Sequence, residues 1–387
     1  MILLGCDRLL ESGLLAGQRV GLVTNPASVD RGLRHTAERV AGRTDVVLAA
    51  LFGPQHGFNA DVQDNMIETG HARDRRLRVP VYSLYSETRE PTAEMLAGLD
   101  ALVIDLQDIG ARIYTFIYTM ANCLRAAARH GVRVIVCDRP NPIGGVEMEG
   151  PMLEPGYESF VGQFAIPMRH GMTIGELARL FNEHVGIGAP LTVVEMTGWA
   201  RPMYWDDTGL PWVMPSPNMP TLDTAVVYPG MVLFEGTNLS EGRGTTRPFE
   251  ISGAPWIDGR ALAERMNDAG LPGARFRALG FEPTFQKHAR QACGGCQVHV
   301  LDRNAFRPVL SGVALMREYR RLDPVRFEWR QPPYEYEATK LPIDILAGSD
   351  RLRGQIESGV PAREIAADWE DEIREFAKVR KNFLLYQ

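Results

Sequence analysis

The segment Leu51–Met66, LFGPQHGFNADVQDNM, sets Gln55, His56, Asn59, Asp61, Gln63, Asp64 and Asn65 within eleven residues, directly after an apolar run. Side chains of these types hydrogen-bond and exchange protons, so at a strand end they suit the grip on a polar substrate; a surface loop would carry them for solubility. A second stretch, EGTNLSEGRGTT, holds Glu235 and Glu241 with Asn238, Ser240 and Arg243 among glycines. Glycine lets the backbone approach a ligand closely. Two carboxylates in one pocket can be driven to different pKa values and so serve as acid and base. A solvated turn with an ion pair between Glu241 and Arg243 is the competing reading.

Other clusters carry the same chemistry. LVIDLQDIGARIYTF places Asp105, Gln107 and Asp108 where an apolar strand meets a helix, with Arg112 and Tyr114 close behind. A carboxylate there accepts sugar hydroxyls or acts as a base, or else caps the helix; Asp108 fits the cap and Asp105 the site. In CDRPNPIGG the prolines around Asn141 fix the directions of Asp138, Arg139 and Asn141, although Arg139 pairing with Asp138 alone is an equal reading. IPMRHGMTIGEL puts Arg169 and His170 just before a helix start, a place that favours an anion. Asn25 follows another apolar run, and Asn218 lies in the proline-rich PSPNMPT. Trp199, Tyr204, Trp205, Trp212 and Tyr228 surround that proline-rich stretch with rings able to stack on sugar faces or to fill a core.

These groups need elements to hold them. Short Val/Ile/Leu-rich runs, RVGLVTN, DVVLAALFG, VPVYSLY, DALVIDLQD, VRVIVCDRPN and APLTVVEM, alternate with amphipathic stretches of helical length. That alternation predicts a parallel sheet covered by helices. Ligands of such sheets sit beyond the carboxyl ends of the strands, where the polar clusters fall, so separate clusters converge on one crevice. The expected fold is α/β, a Rossmann-like domain over residues 1–240 with a smaller α+β domain over 241–387 completing the cleft. WVMPSPNMPTLDTAVVYPG lacks clean periodicity and reads as an ordered binding loop.

Bulk properties exclude several classes. With 45% hydrophobic and 23% charged residues the chain can bury a proper core. A net charge of −6 without a Lys/Arg run argues against nucleic acid as a partner. No run reaches the roughly eighteen apolar residues of a membrane span, and no signal-peptide pattern is present, which gives the expectation of a cytoplasmic protein with no membrane partner. MILLGC only faintly resembles a lipoprotein cleavage site. Five cysteines suggest no disulfide framework, and CGGC, Cys293 to Cys296, reads as two thiols in a turn before the strand QVHVL. No Gly-x-Gly-x-x-Gly or P-loop, no serine-hydrolase elbow and no His-Glu-x-x-His helix occurs, so neither cofactor nor metal is expected. Carboxylates, amides, histidines and arginines remain, a set that suits glycoside hydrolysis.

The ordered motifs GPQHG, YSLY, DLQDIGARIYT, DRPNPIGG, SFVG, IPMRHGMTIGELA, PSPNMPT and EGTNLSEGRGT span nearly the whole chain and resemble the NamZ-type exo-β-N-acetylmuramidases. The resemblance implies removal of terminal N-acetylmuramic acid from peptidoglycan fragments in cell-wall recycling, with Arg169 and Arg243 as candidates for the lactyl carboxylate. The family pattern has Glu, a leading candidate for the catalytic acid, where this chain has Gln55. An amide cannot donate a proton as a carboxylic acid does. Either Glu68, Glu235 or Asp105 supplies the proton, with His56 and Glu241 beside them, or the chain cleaves a different bond, or it only binds cell-wall sugars.

Overall fold

A computed structural model describes residues 1–387. Seven strands form the main sheet: β1 Arg19–Thr24, β2 Val47–Gly53, β3 Ala72–Arg73, β4 Pro80–Ser83, β5 Ala101–Asp105, β6 Arg133–Cys137 and β7 Leu191–Val194. Their order is β3-β4-β2-β1-β5-β6-β7, and every pair is parallel except β3 with β4. All six strand expectations fall on strands of this sheet; only the short edge strand β3 was without a sequence signal. β5 is buried along its whole length, as expected of a strand covered on both faces. Because the pairing is parallel, Thr24, Gly53, Ser83, Asp105 and Cys137 end their strands at one edge of the sheet, and the polar segments that follow start there.

The covering helices obey local rules. Phe116–His130 stops at Gly131, whose φ of 68° is the left-handed geometry glycine adopts freely, and Arg129 and His130 complement the dipole in its last turn. Ile174–Arg179 opens with the Thr173–Glu176 capping box that TIGE predicts.

A second sheet is antiparallel, β8 Ile251–Ala254, β9 Ala274–Phe281 and β10 Cys293–Val300, in the order β8-β10-β9. CGGC is the first half of β10 rather than a turn before it. Gly294 and Gly295 fit there because a Cβ on Gly295 would overlap the Ser252 carbonyl of the neighbouring strand. All five cysteines are buried and unpaired with one another. The proline-rich stretch is only half a loop: after Thr221, whose hydroxyl caps Thr224, the residues Leu222–Met231 form a helix.

One buried apolar cluster runs from Val23 and Leu102 through Phe116, Tyr228 and Phe249 to Phe276, Val298 and Leu346, so the carboxy-terminal elements share a core with one face of the main sheet. The helices Leu222–Met231 and Pro308–Leu322 cross where Gly230 meets the Pro308 carbonyl and Gly312 meets the Gly230 carbonyl. A side chain fits at neither glycine. Gly230→Ala is expected to lower stability by about 1–3 kcal/mol through overpacking, read as a lower denaturant midpoint with unchanged slope. No helix is long and apolar enough to cross a membrane.

Candidate active site

The segment after β2 turns sharply. Gly53 lies against the Phe58 backbone with no room for a Cβ, and His56 and Gly57 follow at φ 72° and 85°. This turn sends Gln55 and His56 into a polar cleft at the carboxyl edge of the sheet. Opposite them stand Glu235, Arg243, Tyr334 and Glu335, with Tyr114, Asn218 and Tyr228 along the wall.

Glu235 and Glu335 sit in contrasting surroundings. Glu235 follows the helix Leu222–Met231 on a short 3₁₀ turn, Val232–Gly236. Its Oε1 accepts from Arg243 Nη2 at 2.6 Å, and its Oε2 accepts from the Tyr334 hydroxyl at 2.6 Å and Asn65 Nδ2 at 3.3 Å. Burial works to raise its pKa, but the Arg243 charge and these bonds outweigh it and hold the carboxyl below its usual range. Glu335 has no cation in contact. Its Oε2 accepts from the Tyr85 hydroxyl at 3.0 Å, and its Oε1 from Gln55 Nε2 at 3.2 Å and Asn65 Nδ2 at 3.5 Å. Burial, and then the negative charge of Glu235, push it up to about 7. Asn65 thus bridges the two carboxyls, whose bridged oxygens lie no farther apart than the sum of its two bonds.

Supporting groups fix this geometry. Thr115 donates to Gln55 Oε1 at 2.8 Å, which turns the Gln55 amide nitrogen towards Glu335. Gln286 donates to Asp64 and to Asn65, pinning the bridging loop from the carboxy-terminal half. Glu241 stands behind Arg243: its Oε1 lies 3.3 Å from Arg243 Nε, and its Oε2 accepts from Lys287 Nζ at 2.8 Å. Arg243 Nη1 is buried without a partner, a donor left for a ligand anion. His56 Nδ1 donates to the Val62 carbonyl at 2.8 Å. Burial pushes this histidine down to about 4, so its imidazole is neutral at pH 7.

Residues 20–223 match the amino-terminal profile, and residues 226–386 the carboxy-terminal profile, of the exo-β-N-acetylmuramidase NamZ. The chain belongs to the NamZ family. It is 48% identical over 384 residues to the peptidoglycan β-N-acetylmuramidase NamZ of Bacillus subtilis strain 168, covering 99% of this chain and 91% of that protein. Two crystal structures of DUF1343 family proteins from Bacteroides fragilis superpose over 100% of this chain and 99% of theirs, with TM-scores of 0.89 and 0.76 at 37% and 26% identity.

Within this NamZ-family fold, the cleft gathers Gln55, His56, Tyr114, Asn218, Glu235 and Arg243 of the expected site residues. The others lie outside its lining. Asp105, expected as a site carboxylate, is wholly buried in an ion pair with Arg139 and accepts from Thr36 at 2.5 Å. Arg139 therefore pairs with Asp105, not Asp138. Asp138 accepts from Thr173, the Gly175 amide and Tyr386, and Asn141 donates to the Met172 carbonyl. Arg112 donates to four carbonyls, those of Pro151, Ile166, Leu346 and Ala347, and ties three segments together. Asn25 and Gln107 bond backbone carbonyls under the rim.

Arg169, expected at the lactyl carboxylate, donates to the Ile143 carbonyl and the Tyr204 hydroxyl, and His170 lies 3.4 Å from Asp108. Asn238 donates to the Arg326 carbonyl. Glu68 is half exposed, paired with Arg89 and accepting from Tyr336. Polar residues at strand ends satisfy the rim's own backbone as readily as a ligand. Sequence reasoning missed Thr115, Tyr85, Tyr334 and Glu335. The signal for the last two was QPPYEYEATK, where carboxylates and aromatics alternate just after a proline pair.

Proposed function

We propose that this chain is an exo-acting β-N-acetylmuramidase that removes a terminal N-acetylmuramic acid from peptidoglycan fragments. One observation carries the reading beyond family membership: two buried carboxyls, bridged by Asn65, line one cleft in opposite electrostatic settings. A carboxyl held ionised and a neighbour that keeps its proton up to about pH 7 are the pair that glycoside hydrolysis requires. The unpartnered Nη1 of Arg243 is the donor for the lactyl carboxylate, the group that distinguishes muramic acid from other amino sugars.

The direct test is incubation of the purified chain with a 4-nitrophenyl N-acetylmuramide and with the disaccharide of N-acetylmuramic acid β-linked to N-acetylglucosamine. Free N-acetylmuramic acid from both is the expected product. No release between about pH 4 and 9, where shifted carboxyls and histidines titrate, overturns the reading. Thermal stabilisation by N-acetylmuramic acid without turnover would leave a sugar-binding protein instead.

A further inference from the structure

Resting on the muramidase reading, we propose that Glu335 is the proton donor to the glycosidic oxygen and that Gln55 is its positioning residue. Glu335 is buried, lines the cleft, and touches only uncharged donors, while Arg243, whose charge also reaches it, is paired with Glu235 and Glu241. A buried carboxyl with no cation favours its neutral, proton-bearing form.

Two further observations point the same way. Glu335 and Tyr336 hold φ angles of 45° and 69°, a left-handed pair without glycine. Such conformations are unfavourable and persist where the surroundings over-determine them, which is frequent at active sites. The second observation is the direction of the amides. Thr115 donates to Gln55 Oε1, so Gln55 gives its N–H to Glu335 Oε1, and Asn65 donates to the same oxygen. Oε1 faces two amide N–H groups that can only donate, whereas the Tyr85 hydroxyl at Oε2 can rotate to accept, so the acid's proton is carried on Oε2.

The groups acting on Glu335 are few. Burial and Glu235 raise its pKa, while the Tyr85 and Gln55 hydrogen bonds and the Arg243 charge lower it, leaving it at about 7. The step balances with water as its only further reactant. Glu335 gives its proton to the glycosidic oxygen as the C1–O bond breaks and that oxygen keeps the bonding pair. The fixed charge of Glu235 stabilises the positive charge that develops at the anomeric carbon. Water then bonds to C1, its proton passes to the Glu335 carboxylate, and the acid is restored.

A leaving group that departs without a proton separates this role from a structural one. Glu335→Gln is expected to lower kcat on the disaccharide by about 10²–10⁴-fold, and far less on the 4-nitrophenyl glycoside, while stabilisation by N-acetylmuramic acid persists. Wild-type kcat on the disaccharide falls as pH rises through about 7, because the donor loses its proton; in the variant that limb is absent. Gln55→Met removes a hydrogen bond that favours the charged form, so it moves the limb to higher pH. Equal losses of Glu335→Gln on both substrates, or a limb at the wild-type position in Gln55→Met, overturn the proposal. An inactive wild-type protein overturns the muramidase reading and the proton-donor role with it.

Discussion

Replacing Asp105 with Asn is expected to cost about 3–5 kcal/mol of unfolding free energy, because it leaves the Arg139 guanidinium buried without its anion. The ion pair is almost fully enclosed, with side-chain exposures of 1% and 0%. Thr36 also donates to Asp105, so the loss reaches a bond to the helix Thr36–Ala41. Burial works to raise the Asp105 pKa, but Arg139 and Thr36 hold it below the usual range. A depressed folded-state pKa contributes stability that is present above the unfolded value and lost as pH falls through the folded one. The gap between wild type and Asp105→Asn is therefore widest near neutrality and narrows in acid. Denaturant midpoints at pH 7 and in acid check both the size and the sign. Because Asp105 does not line the cleft, turnover per folded molecule is expected to survive, which distinguishes a structural carboxylate from a working one.

That contrast explains how far the sequence could be read. The α/β class was legible because six apolar runs alternate with helical stretches, and because parallel pairing forces their polar ends to one edge. Glu235 and Arg243, which line the cleft, stood out because a solvated turn rarely needs so many glycines around its charges. Asp105 misled for a physical reason: a strand-end carboxylate looks the same in sequence whether it faces a ligand or an arginine one strand away. The partner of Gln55 was hidden more deeply, since Glu335 lies 280 residues farther along the chain and meets Gln55 only when the carboxy-terminal loop folds over the sheet edge. No local pattern encodes that meeting. Lys287 and Gln286, which anchor Glu241 and the Asn65 loop, belong to the same long-range class.

Glu235→Gln is expected to lower turnover by about 10²–10³-fold, the usual loss when a preorganised charge aimed at a transition state is removed. The fold should tolerate it: Gln keeps the shape, and Arg243 retains Glu241 as a counter-ion, 3.3 Å from its Nε. The pH dependence of the residual activity is the sharper readout. Glu235 is the charged neighbour that raises Glu335, second only to burial. Removing that charge lowers the Glu335 pKa, so the proton is lost at lower pH and the alkaline limb moves towards acid. Gln55→Met moves the same limb the other way. Opposite displacements from two neighbours of one carboxyl require that carboxyl to be the titrating acid, since a general loosening of the cleft would shift both in one direction. A limb in Glu235→Gln that stays at the wild-type pH, or moves towards alkali, would show that the two carboxyls do not sense each other during catalysis.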